Sequence, residues 1–259
     1  MISGKATENL TGISIEGNFN DFYELVGSIH RMLGFQNGYD DDYWGVKNRL
    51  LGLCYDIRHA SMGDRDIVLV DNGVTEDMMK WHSMALPKQE VRFSVDIILT
   101  EAVFVALSVP EIYIFSRLHY GRLGRKKKTK GEQQFTPKYS EYLKDKSIIN
   151  GLVVEILGVL GEIISDDELE KIVRFIEDDD RDLFKNYATQ YVDKCNIEYL
   201  KASPEKRKDK IKYITKRFIE PPQSYAIMKD ELECSAKEYG CSIYELCDPK
   251  LEYPDEIIW

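Results

Sequence analysis

The densest set of chemically useful side chains in this sequence is Asp56-Ile57-Arg58-His59-Ala60-Ser61-Met62-Gly63-Asp64-Arg65-Asp66. On a helix, Asp56 and His59 stand at i, i+3 and share a face. Asp64 and Arg65 follow just past the helix C-terminus. A carboxylate and an imidazole on one face can bind a metal or exchange a proton, and His82, beside Trp81, is a second imidazole within the same half of the chain. A metal-dependent hydrolase or nuclease would then rest on Asp56, His59, Asp64 and His82, with Arg58 and Arg65 as binding residues. The same side chains also suit plain structure. Asp56, Arg58, Asp64 and Arg65 can form ion pairs that fix a helix-to-strand turn, and a histidine near a helix C-terminus is favoured by the dipole. Structural ion networks perturb titrations as catalytic ones do, and the structural reading carries more weight.

Other chemistry has thinner support. His-Glu-x-x-His and Cys-x-x-Cys motifs are missing. Cys234, Cys241 and Cys247 are separated by six and five residues, spacings that do not match common zinc sites, so no metal is expected. Gly121-x-x-Gly124-Arg125-Lys126 lacks the Walker spacing, and no serine sits in a Gly-x-Ser-x-Gly elbow. No cofactor is implied. Cys54 alone among the cysteines has a histidine close in sequence, but a helix turns His59 away from it. A different candidate is the basic stretch Arg122, Arg125, Lys126, Lys127, Lys128 and Lys130, beside His119 and Tyr120. Six cations could hold phosphates while Tyr120 stacks on a base. A net charge of −10 has the wrong sign for general nucleic-acid affinity.

Periodicity supplies the elements that must position these residues. Residues 11–17 alternate between flanking glycines and predict a strand, followed by a helix with Phe19, Phe22, Leu25, Val26, Ile29 and Leu33 on its apolar face and Asn18 or Asn20 as cap. A polar loop at 35–43 precedes a helix over 44–62 that buries Val46, Leu50, Leu53, Cys54 and Ile57. Strands are predicted at 66–71 and 90–98, joined through the turn pair Asn72-Gly73 and a short helix before Pro87. In the second of these strands Val91, Phe93, Val95 and Ile97 should face a core, and Arg92, Ser94 and Asp96 should face water. An apolar helix over 101–120 should break or kink at Pro110.

Beyond the basic stretch only helical patterns occur. One covers 139–165, and Ser165 with Glu168 reads as a capping box. A long amphipathic run then carries Leu169, Ile172, Val173, Ile176, Leu183, Tyr187 and Val192. Pro204 opens a further helix, Pro221-Pro222 stops it, and a last one covers 224–239.

Length and composition fit one large domain or two ordinary ones: 259 residues, 43% hydrophobic, 11% aromatic. Five cysteines, no secretory signal in the residues given and no apolar run of spanning length, the longest being Ala102–Val109 and Ile148–Leu160, point to a reducing cytoplasm and away from a membrane.

Three segments and one block carry a resemblance: Asn9 to Gly17, Arg49 to Ala60, Gly63-Asp64-Arg65, and Lys80-Trp81-His82 followed by the strand at Val91. Together they resemble an uncharacterised bacterial family of unknown function, over roughly residues 1–115. The resemblance implies a bacterial or phage setting and no particular activity.

The expectation is an α+β fold. A small, mainly antiparallel sheet is covered by helices in the N-terminal half, and the C-terminal half is all helical. The organisation reads as residues 1–121, an exposed basic loop at 122–131, and a helical region from 132 to 259, with a continuous core left open as the alternative. The expected function is non-catalytic: an intracellular binding or regulatory protein acting through a protein partner. The hydrolase or nuclease and the nucleic-acid binder are its alternatives, and a homo-oligomer is compatible with all three.

Overall fold

The computed structural model describes residues 1–34, 42–123, 139–178 and 180–259. β-branched residues at alternate positions build the sheet. Strands β1 (Ser3–Ala6), β2 (Gly12–Gly17), β3 (Asp66–Asp71) and β4 (Gln89–Ile98) pair antiparallel in the order β1-β2-β4-β3. Ile13 lies opposite Ile97 and Ile15 opposite Val95, so one face is an apolar floor. Through Phe93 and Val91, which oppose Ile67 and Leu69, the same face continues onto β3. The other face carries Ser14, whose hydroxyl donates to Asp96. Gly12 lies so close to the Ile97 carbonyl that a Cβ there would collide with backbone.

β1 escaped sequence reading because Ser-Gly-Lys-Ala has no apolar alternation. Pairing with β2 and packing of a helix against it hold it in place. In β4, Val91 is exposed and Ser94 buried, the reverse of the expectation. Helices cover only part of the apolar face and leave Val91 open. On the polar face, Ser94 and Asp96 line a cleft shared with Ile257 and Trp259.

Helix α1 (Phe19–Leu33) starts at Asn18, whose side chain accepts from the Asp21 amide while the Asp21 carboxylate accepts from the Asn18 amide. Phe22, Leu25, Ile29 and Leu33 are buried, and Phe19, in the first turn, is exposed. Helix α2 (Trp44–Ser61) buries the expected stripe, and Gly63 turns the chain toward β3 with φ +87°, where a side chain would be strained. The short α3 (Glu76–His82) is capped by Thr75.

Helix α4 (Leu99–Leu123) runs through Pro110 without a break. Proline removes one donor and loosens the preceding turn; in that turn the Leu107 carbonyl accepts from Arg181 at 3.0 Å. Residues Leu99–Arg117 are therefore one stretch long and apolar enough to cross a membrane, longer than the interrupted runs visible in the sequence. Most of it is buried inside the protein, as the central helix of the core.

Helices α5 (Tyr139–Ile163), α6 (Asp166–Glu177), α7 (Gln190–Leu200), α8 (Pro204–Ile219) and α9 (Gln223–Tyr239) complete the described helices, with a 3-10 turn at Ile243–Glu245. The capping box at Ser165 and Glu168 is present. The expected continuous run from Leu169 to Val192 is instead α6, a non-helical segment and α7. Tyr187 and neighbouring Phe184 are buried, and Leu183 partly buried, from that segment rather than from a helix face.

α5 packs on α1, α4 and β1, and the buried residues of both halves form one hydrophobic cluster. Asp145 on α5 joins the halves through polar contacts as well. It accepts from Ser28 at 3.0 Å, Arg31 at 2.9 and 2.6 Å, and Tyr120 at 3.0 Å. Arg122 is in the last turn of α4 rather than in a loop. Arg125, Lys126, Lys127, Lys128 and Lys130 lie outside the described residues, as does most of the polar loop read at 35–43.

Candidate functional site

At the turn between α2 and β3 the predicted polar residues meet in pairs. His59 Nδ1 lies 2.8 Å from Asp64 Oδ2, and Arg65 donates to Asp56 Oδ1 at 3.2 Å. Asp56 and His59 share a helix face, yet each is drawn to its own partner beyond the turn. Arg58 sits 6.0 Å from the ring of Tyr55, whose ring in turn lies 4.2 Å from His59. His82 is the exposed last residue of α3. Among the described residues no three His, Cys, Asp or Glu side chains are grouped to hold a metal ion. Cys54 lies on the buried face of α2, and burial pushes its thiol up to about 12.

Asp56 also lines two clefts, of about 520 Å³ and about 770 Å³, that share Ile97 and Glu101 in their walls. Between them lies a polar network that sequence reading missed. Arg49 of α2 pairs with Glu101 of α4 at 3.1 Å and with Asp193 of α7, and donates to the Thr189 carbonyl at 2.7 Å. Asn196 donates to Glu101 at 2.8 Å, and the Tyr253 hydroxyl donates to Asp193 at 2.8 Å. Burial raises the Glu101 pKa, with Arg49 and Asn196 opposing it. Each of these five side chains has a partner in the set, so the network fastens α2, α4, α7 and the C-terminal segment together.

The least explained surface is the β3–α3–β4 arm. Ile67 and Leu69 are 55% and 60% exposed, and Trp81 is 85% exposed. Met78, Met84, Leu86 and Val91 are exposed as well, and α3 buries none of its residues. The cause is geometric. β3 and the first half of β4 extend the apolar face of the sheet past the helices that cover β2 and the second half of β4. Isolated exposed apolar residues are ordinary; here seven large ones fall within the single stretch from Ile67 to Val91.

Of the residues singled out by sequence, the structure brings together His59 with Asp64 and Asp56 with Arg65, and leaves His82 apart on the arm. The arm itself was visible only as strand and helix signals. The one hint was that Ile67-Val68-Leu69-Val70 is apolar at every position while α3, with Met78, Met79 and Trp81, is too short to cover much.

No curated protein and no solved structure matches the chain. A family model does match, over residues 2–259, so the likeness noticed in the first 115 or so residues extends through the helical half. This chain belongs to the family described as Domain of unknown function (DUF6904).

Proposed function

We propose that this protein is a non-catalytic intracellular binding or regulatory protein whose β3–α3–β4 arm docks a protein partner. One observation carries the reading: seven large apolar side chains from Ile67 to Val91 are exposed on the one β3–α3–β4 segment. Flexible methionines beside a tryptophan suit a contact surface, since thioethers adapt to a partner and aromatic rings anchor in its pockets. The five unpaired cysteines agree with a reducing compartment.

The test is affinity capture from the native host with the wild-type chain and with Ile67→Lys/Trp81→Glu as bait. A stoichiometric partner held by the wild type and lost by the variant, at unchanged melting temperature, supports the reading. Equal capture by both baits, or none by either under several growth conditions, sinks it.

A further inference from the structure

The two edges of the sheet are treated differently. At β1 the edge is closed: α5 packs against the strand, and the Gly4 amide donates to Glu155 Oε2 at 2.8 Å. Among the described residues no element packs comparably against the outer side of β3. Every second residue of an antiparallel edge strand turns its N–H and C=O outward. Proteins normally blunt such an edge with lysine, proline, a bulge or a covering element. β3 reads Asp-Ile-Val-Leu-Val-Asp, with charge only at its ends and four apolar residues between.

We infer that the occupant of this edge is a second copy of the same chain, pairing β3 with β3 antiparallel about a two-fold axis at Val68 into one eight-stranded sheet. The inference rests on reading the arm as a protein-docking surface. Its register follows from the residues. A two-fold axis perpendicular to a sheet makes one residue face itself and keeps both copies' apolar faces on the same side. With Val68 opposite Val68, Ile67 meets Leu69 of the other copy in both halves of the pair. Asp66 then faces Val70, and Arg65, one residue before β3, faces Asp71.

Centring on Leu69 instead sets Ile67 against Asp71, and centring on Ile67 sets Arg65 against Leu69. Of the three, only the Val68 register sets Ile67 against Leu69 and Arg65 against Asp71. In the single chain Arg65 binds Asp56 at one nitrogen only, and a guanidinium has donors for a second carboxylate. Ile67, Leu69 and Val91 of both copies would then form one continuous apolar strip across the join.

Sedimentation velocity on the full chain tests this. The expected species is a dimer of the 30.1 kDa chain. Arg65→Asp or Asp71→Arg alone should each weaken association about tenfold, because like charges then face each other at both ends of the pair, and the two together should restore it. In a chain with Cys234→Ser, Cys241→Ser and Cys247→Ser, Val68→Cys should form an intermolecular disulfide under mild oxidation and Leu69→Cys should not. A monomer at every loading up to roughly 0.1 mM overturns the inference. So does a dimer indifferent to both charge reversals and silent at position 68, since its interface is then elsewhere. Neither result touches the arm reading, which stands or falls on whether Ile67→Lys/Trp81→Glu loses the captured partner.

Discussion

Arg49 shows how a charged side chain comes to be retained in a protein interior. Its guanidinium faces two carboxylates and a carbonyl, and its pKa is raised although burial works against the charge. Replacing it by alanine leaves Glu101 buried without its counter-ion, and a broken buried pair costs about 3–5 kcal/mol. Urea denaturation of Arg49→Ala should show a loss of that order, and of less for Arg49→Ala/Glu101→Gln, in which no buried charge is stranded.

Glu111 makes a second case. Burial lifts its carboxyl from 4.5 to about 7, against the opposing Phe184 amide and Arg181. Because the folded value lies above the unfolded one, the contribution of this group to stability is full below pH 4.5 and is lost as pH rises through about 7. Stability measured from pH 4.5 to 8 should therefore fall less steeply for Glu111→Gln than for the wild type. Identical slopes would show that Glu111 titrates normally.

Elements here differ in what their apolar residues are for. In β2, Ile15 is fully buried between the sheet and the helices. Ile15→Ala should cost about 2–5 kcal/mol, the range for truncating a core aliphatic residue. In β3, a strand of equal length, Leu69 is exposed, and Leu69→Ala should change stability by no more than about 0.5 kcal/mol. Chemical denaturation of the two variants side by side measures the contrast. A large loss at Leu69 in the isolated monomer would mean that the arm is packed rather than presented. The same difference explains α4 and α3: one is apolar all round because neighbours surround it, the other apolar in part and left uncovered.

The fold is joined across its length by α5. Its apolar residues share one cluster with those of α1 and α4, and Asp145 gathers Ser28, Arg31 and Tyr120 around a buried carboxylate. A shared core predicts shared unfolding. Trp44 and Trp259 report on the N-terminal helices and the β1–β2 turn, while far-UV circular dichroism reports the helices of both halves, the larger share from the second. The two signals should give coincident transitions in urea. Separate midpoints would divide the chain near residues 121–139.

Local order was written plainly into the residue pattern. Asn18, Ser165 with Glu168, and the alternation in β2 and β4 each act within a few positions, and the caps and strands they predict are present. Such signals are legible because the partners are neighbours in sequence. The Asp56–Asp66 cluster was legible for the same reason, as a set of nearby ionisable groups, but its pairing was not. Which carboxylate His59 meets depends on how the chain leaves α2.

Three outcomes belonged to tertiary structure alone. Arg49, Glu101, Asp193, Asn196 and Tyr253 are far apart along the chain, and no local pattern links them. Pro110 could be carried inside α4 because the helices packed around α4 hold that element in place. The exposure of Ile67, Leu69 and Val91 follows from where the covering helices end. A sequence pattern states that a face is apolar; whether that face is filled by the same chain or left open for another is decided by the reach of the elements packed upon it.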